Sequence, residues 1–193
     1  MSSCRKLSRG WSLYLVDKVV KAFAGAGERS AGRPQASSAP PGGSTEREAT
    51  GMGAIFQWPV RVYWEDTDAG GIVFYANYLK FFERSRTEWL RTLGIEQQSL
   101  KDSTGCIFVV TETTLRYHRP ARLDDELIVT TRMIETGRAS MLLQQQALLK
   151  TEHAGVSKPA LLCEGTVRIG WVDSAGLKPR RIPSFILDRL KNG

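Results

Sequence analysis

Residues 56–64, "FQWPVRVYW", alternate strictly between apolar and polar positions. Phe56, Trp58, Val60, Val62 and Trp64 face one way, while Gln57, Pro59, Arg61 and Tyr63 face the other. A period of two predicts a strand, Phe56 to Trp64, with one buried face. Pro59 has no amide to donate to a ladder, which places that strand at a sheet edge or puts the proline in its first residues. From about Asn77 the period lengthens: Leu79, Phe82, Arg86, Leu90 and Leu93 fall on one stripe, with Tyr78, Phe81 and Trp89 beside it. This pattern predicts a long helix, apolar over a wide arc and buried against a sheet. Asn77 is the expected cap at its start, and Gly94 stands where it should end.

Four more strand-like runs follow: Cys106 to His118, Glu126 to Glu135, Ala139 to Thr151 and Ala160 to Val172. They are separated by the turn-like stretches "RPARLDD", "TGR" and "EHAGVSKP". A link as short as "TGR" implies an antiparallel hairpin, because a parallel crossover needs about a dozen residues. "PSFILDRLK", with Pro183 ahead of a capping Ser184, predicts a short helix. Strand, long helix, then four antiparallel strands make an α+β fold, a long central helix wrapped by one curved antiparallel β-sheet.

Composition divides the chain. From Ala24 to Gly53 it is rich in Gly, Ala, Ser and Pro and has too few large apolar residues to offset the entropy of ordering. Residues 1–53 therefore read as a disordered, basic N-terminal extension, and residues 54–193 as one folded domain. Ahead of the low-complexity stretch, Leu13, Val16, Val20 and Phe23 could line one short amphipathic helix. The extension has three readings: a plain tail, a targeting peptide, or a stretch preceding a true start at Met52. It carries eight basic and four acidic side chains of a chain whose net charge is +7, so the folded part is only mildly basic. That balance suits an anionic ligand such as a nucleotide phosphate but lacks the basic, aromatic-interleaved stripe of a nucleic-acid surface. No apolar run reaches the roughly 18 residues of a membrane span, so no integral membrane segment is expected. Cys4, Cys106 and Cys163 are three, widely spaced and without a CxxC, which argues against a disulfide framework and a zinc site and favours a reducing, cytoplasmic setting.

"RVYWEDTDAGGIVFYANYLKFFERSRTEWLR", with the later "RYHRPARLDDELIV" and "GRASMLLQQQALL", resembles the hydroxybenzoyl-CoA thioesterase family of hotdog enzymes. The likeness is closest to the branch of acyl-CoA thioesterases associated with the bacterial Tol-Pal cell-envelope system, and it runs from about Phe56 onward. It implies that Asp68, the acid of D-x-x-G-(I/V)-V, is the catalytic carboxylate. It also implies that the backbone N–H of Tyr75 polarises the thioester carbonyl. A cofactor-free enzyme acting on acyl-CoA is expected, with sites at a dimer interface, in the bacterial cytoplasm or peripherally at the inner membrane. One departure stands out: many members of the closest branch carry His where this chain has Tyr75.

The chemistry is consistent with that assignment. Thioester hydrolysis needs a nucleophile or base beside the carbonyl and positive potential where the oxyanion develops. A carboxylate just before a helix supplies the first, and the free amides of the helix start supply the second. Gly70 and Gly71 let the loop turn sharply and a ligand approach its backbone. Asp68 could instead be an ordinary cap or turn residue. Asp66 reads as structural. Glu83, on the helix, is the rival base or else one half of an ion pair. Cys106 and His118 imitate a nucleophile pair without an orienting third group, and His153 lies in a hairpin loop, so two isolated histidines make no metal site. For the CoA phosphates the candidates are Gly137, Arg138 and Ser140 of the "TGRAS" hairpin, whose bland alternative is a solvated tip; Arg180 and Arg181 are similarly open. A homodimer or homotetramer is expected, because a curved sheet has edges that need covering. The competing function is a non-catalytic scaffold that holds acyl-CoA or acyl carrier protein and links lipid metabolism to envelope assembly.

Overall fold

The computed structural model describes residues 54–150 and 159–192. The N-terminal extension and the hairpin loop carrying His153 lie outside them. The elements run β1 (Phe56–Arg61), a 3₁₀ turn (Trp64–Asp66), α1 (Asn77–Thr92), α2 (Gln97–Thr104), β2 (Cys106–Tyr117), β3 (Glu126–Thr136), β4 (Ser140–Leu149), β5 (Ala160–Asp173) and α3 (Ser184–Asn192). The five strands form one antiparallel sheet in the order β1-β3-β4-β5-β2, so Pro59 is on an edge strand as its missing amide requires. Among the described residues no helix is long and apolar enough to cross a membrane.

Helix α1 lies on the sheet by the face its sequence dictates. Tyr78, Phe81 and Phe82 pack with Val60, Val62, Leu127, Val129 and Ala147. Trp89 and Leu90, two turns on, join Met133, Leu143 and Trp171 and the α3 residues Ile186 and Leu190. Phe81 and Phe82 are completely buried, each contributing about 1.5–3 kcal/mol of transfer free energy. Beneath the helix runs a polar ladder: the Ser85 and Thr131 hydroxyls lie 2.9 Å apart, and Gln145 Nε2 donates to Thr131 Oγ1 (2.7 Å) and to the Phe82 carbonyl (3.0 Å).

Four expectations need correction. The first strand ends at Arg61 rather than Trp64, and Trp64 is 78% exposed. The cause is Asp66, whose Oδ2 accepts the Tyr63 amide and whose own amide donates to the Tyr63 carbonyl, turning the chain before the alternation is complete. Asn77 does not cap α1: Ala76 holds that position, and Asn77 Nδ2 instead donates to the Asp66 carbonyl. Leu79 is exposed and Ser85 buried, so the inward stripe is rotated from the one drawn through Leu79 and Leu93. Helix α2 was not anticipated, because "QQSLKDST" buries only Leu100 and carries no apolar period. Gly94 does end α1: its amide donates to the Arg91 carbonyl and that of Ile95 to Leu90, the paired bonds of a Schellman stop.

Burial pushes the Cys163 thiol from 9.0 up to about 12, with a smaller push from the Glu164 carboxylate. The unfolded chain ionises this thiol at lower pH than the folded one. Its contribution to stability is therefore complete below pH 9.0 and is lost as pH climbs toward 12. Native Cys163 is expected to resist iodoacetamide near neutral pH and to react once the protein is denatured, which peptide mass spectrometry reads directly. Modification at equal rates in both states contradicts this burial.

Candidate active site

The loop between β1 and α1 is a miniature hairpin. Thr67 bridges Val73 antiparallel, Asp68 donates its amide to Ile72 and accepts the Gly71 amide on its carbonyl. Gly71 has φ +69°, the left-handed conformation that closes such a three-residue loop and that side chains disfavour. The turn holds the Asp68 carboxylate by one oxygen only: Oδ1 accepts the Gly70 amide at 2.8 Å. No hydrogen-bond partner meets Oδ2 among the described residues, and the side chain is exposed. A Cβ at Gly70 would sit 3.1 Å from Oδ1, so glycine there leaves the carboxylate its position.

Beyond the turn the chain is fastened at nearly every residue. Val73 donates to Ala121, Phe74 to Asp66 and Asn77 to Phe74. Tyr75 and Ala76 are the exceptions. Among the described residues neither amide donates a hydrogen bond, while the Tyr75 carbonyl accepts the Tyr117 hydroxyl at 3.0 Å. That leaves free N–H groups at the start of α1, the Tyr75 amide among them, where the helix dipole adds positive potential. Burial is the largest cause raising the Tyr117 and Tyr78 pKa values, so both phenols stay protonated. Tyr117 donates to the Tyr75 carbonyl, whereas Tyr78 accepts the Ala121 amide at 3.1 Å. Tyr75 and Tyr78 each meet the Tyr117 ring edge to face along a cleft of about 220 Å³ that Ile72 and His118 also line.

Asp66, only 2% exposed, is the structural keystone of this loop, with its carboxylate on the Tyr63 amide and its carbonyl on Phe74 and Asn77. Asp66→Ala is expected to cost about 1–3 kcal/mol by orphaning the Tyr63 amide, read as a lowered urea midpoint. An unchanged midpoint contradicts that role.

The other candidates are distributed differently. Gly137, Arg138 and Ser140 form the β3–β4 hairpin, closed by the Gly137 amide on the Ser140 carbonyl, and Arg138 is exposed. The loop bearing Asp68 adjoins the opposite end of β3, where the Val62 amide meets Asp125. Eleven residues of β3 separate the two, about 33 Å at roughly 3.3 Å per step, so one chain does not bring them together. Glu83 is exposed on α1 and accepts the Thr87 hydroxyl at 2.8 Å. Cys106 and His118 stand at or beyond opposite ends of β2, which rules out a dyad within the chain, and His118 Nε2 lies 3.0 Å from Glu164 Oε1. Arg180 faces Asp173 at 3.9 Å, and no such contact marks Arg181. Sequence reasoning missed Tyr117 and Tyr78. Their only signal was an aromatic at the end of a strand and another in the first turn of a helix.

A family model described as the thioesterase-like superfamily matches residues 62–190. The chain belongs to that superfamily. The acyl-CoA thioesterase YbgC of Haemophilus influenzae is 43% identical over 131 residues, 68% of this chain and 90% of that protein. Among solved structures, a probable thioesterase from Bartonella henselae is 33% identical, with a TM-score of 0.61 over 67% of this chain and all of that one. A 4-hydroxybenzoyl-CoA thioesterase mutant, solved with 4-hydroxybenzoyl-CoA, shares the fold at a TM-score of 0.64 and 17% identity, covering 70% and 98% of the two chains. The expected hotdog arrangement is thereby established for this thioesterase-like chain.

Proposed function

We propose that the protein hydrolyses acyl-CoA thioesters to free acid and CoA, with Asp68 as nucleophile or general base and the Tyr75 amide polarising the carbonyl. The observation that carries this is the pairing of a half-engaged carboxylate with an unclaimed amide on the two flanks of one short hairpin. Hydrogen-bond donors already in place where charge develops are the largest single source of such rate enhancement, and this amide needs no rearrangement to serve. In the nucleophilic route an Asp68 oxygen bonds to the carbonyl carbon, the C–S bond breaks and thiolate leaves. Water then opens the mixed anhydride. In the base route Asp68 takes a proton from the water that attacks. The likeness to the H. influenzae acyl-CoA thioesterase supports CoA esters as the substrate class.

Two copies are part of this reading. Strand β2 is a twelve-residue edge with exposed Val110 and no proline, whereas the other edge, β1, is blunted by Pro59. A second copy pairing there covers the open edge, and it is also the only source from which Arg138 with Gly137 and Ser140 can reach the phosphates of a CoA held at Asp68. Free-thiol release from aliphatic and aromatic acyl-CoAs tests the activity. Turnover of at least one ester well above the buffer rate is expected. Acyl-CoA binding with no turnover of any ester contradicts it and favours the scaffold.

A further inference from the structure

The Tyr75 carbonyl lacks the bond that a regular helix start would give it. An α-helix returns each amide to the carbonyl four residues back, which would pair Leu79 with Tyr75. Here the Leu79 amide closes on the Ala76 carbonyl instead, at 3.1 Å, and the Tyr75 carbonyl takes the Tyr117 hydroxyl at 3.0 Å. That hydroxyl comes from the last residue of β2, at the opposite edge of the sheet from β1. Its ring is set by two edge-to-face contacts, with Tyr75 at 84° between planes and with Tyr78 at 65°. Tyr78 is in turn only 2% exposed and pinned by the Ala121 amide. Satisfying the carbonyl does not call for so much, because Tyr75 is 63% exposed and water meets an exposed acceptor about as well. What a clamped phenol adds over water is direction.

Direction matters at the other end of the same peptide. The Tyr75–Ala76 link is trans, so its N–H points opposite to its C=O, and a hydroxyl that fixes the carbonyl also fixes the Ala76 amide. Ala76 is helical, with φ −73° and ψ −18°, and the Asn77 amide on the Phe74 carbonyl at 2.8 Å closes a turn with Tyr75 and Ala76 at its centre. Successive amides in such a turn project side by side from the helix start, and among the described residues neither of these two has an acceptor. A hydrogen bond at the carbonyl end also polarises the peptide and strengthens its N–H as a donor, by roughly 10–30%.

A thioester oxygen gains charge when its carbon is attacked, and a second donor then stabilises it further. We propose that the Ala76 amide is the second donor of the oxyanion hole that the Tyr75 amide begins, and that Tyr117 is the positioning residue that aims it. This rests on the reading of Asp68 and the Tyr75 amide as the reaction centre.

Tyr117→Phe keeps the ring and both aromatic contacts and removes only the hydroxyl. It is expected to lower kcat for acyl-CoA hydrolysis by about tenfold while KM stays within about twofold, since the donor acts on charge that develops only in the transition state. A lowered melting temperature with kcat unchanged, or a rise in KM alone, makes the hydroxyl a structural contact and overturns the assignment. Replacing Ala76 by lactic acid puts an ester oxygen where the N–H stands and should cost about a hundredfold in kcat. An ester variant as active as wild type overturns the second donor. On the ester background Tyr117→Phe should add no further loss, and a full second tenfold loss overturns the link between Tyr117 and Ala76. The infrared carbonyl stretch of isotope-labelled benzoyl-CoA bound to Asp68→Asn separates this claim from the hydrolase reading. It should lie below its frequency in water and move back up when Tyr117→Phe is added. If no ester turns over but the shift depends on Tyr117, the hydrolase reading fails and the paired donors stand. Hydrolysis with a carbonyl frequency unmoved by Tyr117→Phe overturns the pairing and leaves the hydrolase reading intact.

Discussion

Asp68→Asn is expected to lower kcat/KM for acyl-CoA hydrolysis by about a hundredfold or more, equivalent to about 2.7 kcal/mol of lost transition-state stabilisation. The amide is nearly isosteric, and its oxygen can still accept the Gly70 amide that holds Oδ1 now. What it loses is the anionic oxygen that attacks or takes a proton, so the fall belongs in kcat. Asp68 is exposed and packs against nothing that the substitution disturbs, so the melting temperature should barely move. That combination separates a catalytic carboxylate from a turn residue, for which the stability would change and the rate would not. If activity survives within a few-fold, Glu83 becomes the base to test. Its position along α1, bonded to Thr87, makes that the weaker alternative.

Gly165→Ala is the substitution expected to damage the fold most. A Cβ at this position would lie 2.1 Å from the Thr114 carbonyl oxygen and 2.7 Å from Leu115 Cδ2. The nearer atom is backbone in the paired strand, so relief requires β2 to move away from β5 over the ladder that joins Thr113–Tyr117 to Cys163–Val167. Overpacking against backbone belongs at the upper end of such costs, about 3 kcal/mol, or roughly 10 °C in melting temperature for a domain of this size. Strand β2 is also the open edge along which a second copy is proposed to pair, so on that reading the same change should weaken self-association. A melting temperature within about 2 °C of wild type contradicts the close approach.

Much of the architecture could be read from periodicity because burial here is one-sided. Strand β4 buries Met141, Leu143, Gln145 and Ala147 in alternation, and β1 alternates half-buried Phe56 and Trp58 and buried Val60 with exposed residues, a pattern that continues past its end to Val62. The pattern failed where a polar contact outweighed it. Trp64 continues the alternation on paper, yet the Asp66 carboxylate captures the Tyr63 amide and bends the chain out of the sheet. Asn77 looked like a cap by residue type, but the Asp66 carbonyl offered its side chain a buried partner instead. Helix α2 had no apolar stripe to announce it. In the candidate site the Asp-Gly-Gly hairpin was legible because its residues are confined to one short motif. Tyr117 was not, since it reaches Tyr75 only after β2 has crossed the whole sheet edge, and no local spacing encodes that meeting. Nor could spacing reveal that Arg138 lies at the far end of β3, because register and strand order decide which hairpin tips share an end of the sheet.

The most direct measurement is a crystal structure of Asp68→Asn with an unhydrolysed acyl-CoA. The thioester carbonyl oxygen should accept the Tyr75 amide at about 2.8–3.1 Å, with the carbonyl carbon beside residue 68. A thioester bound elsewhere, or a carbonyl turned away from the Tyr75 amide, contradicts the account.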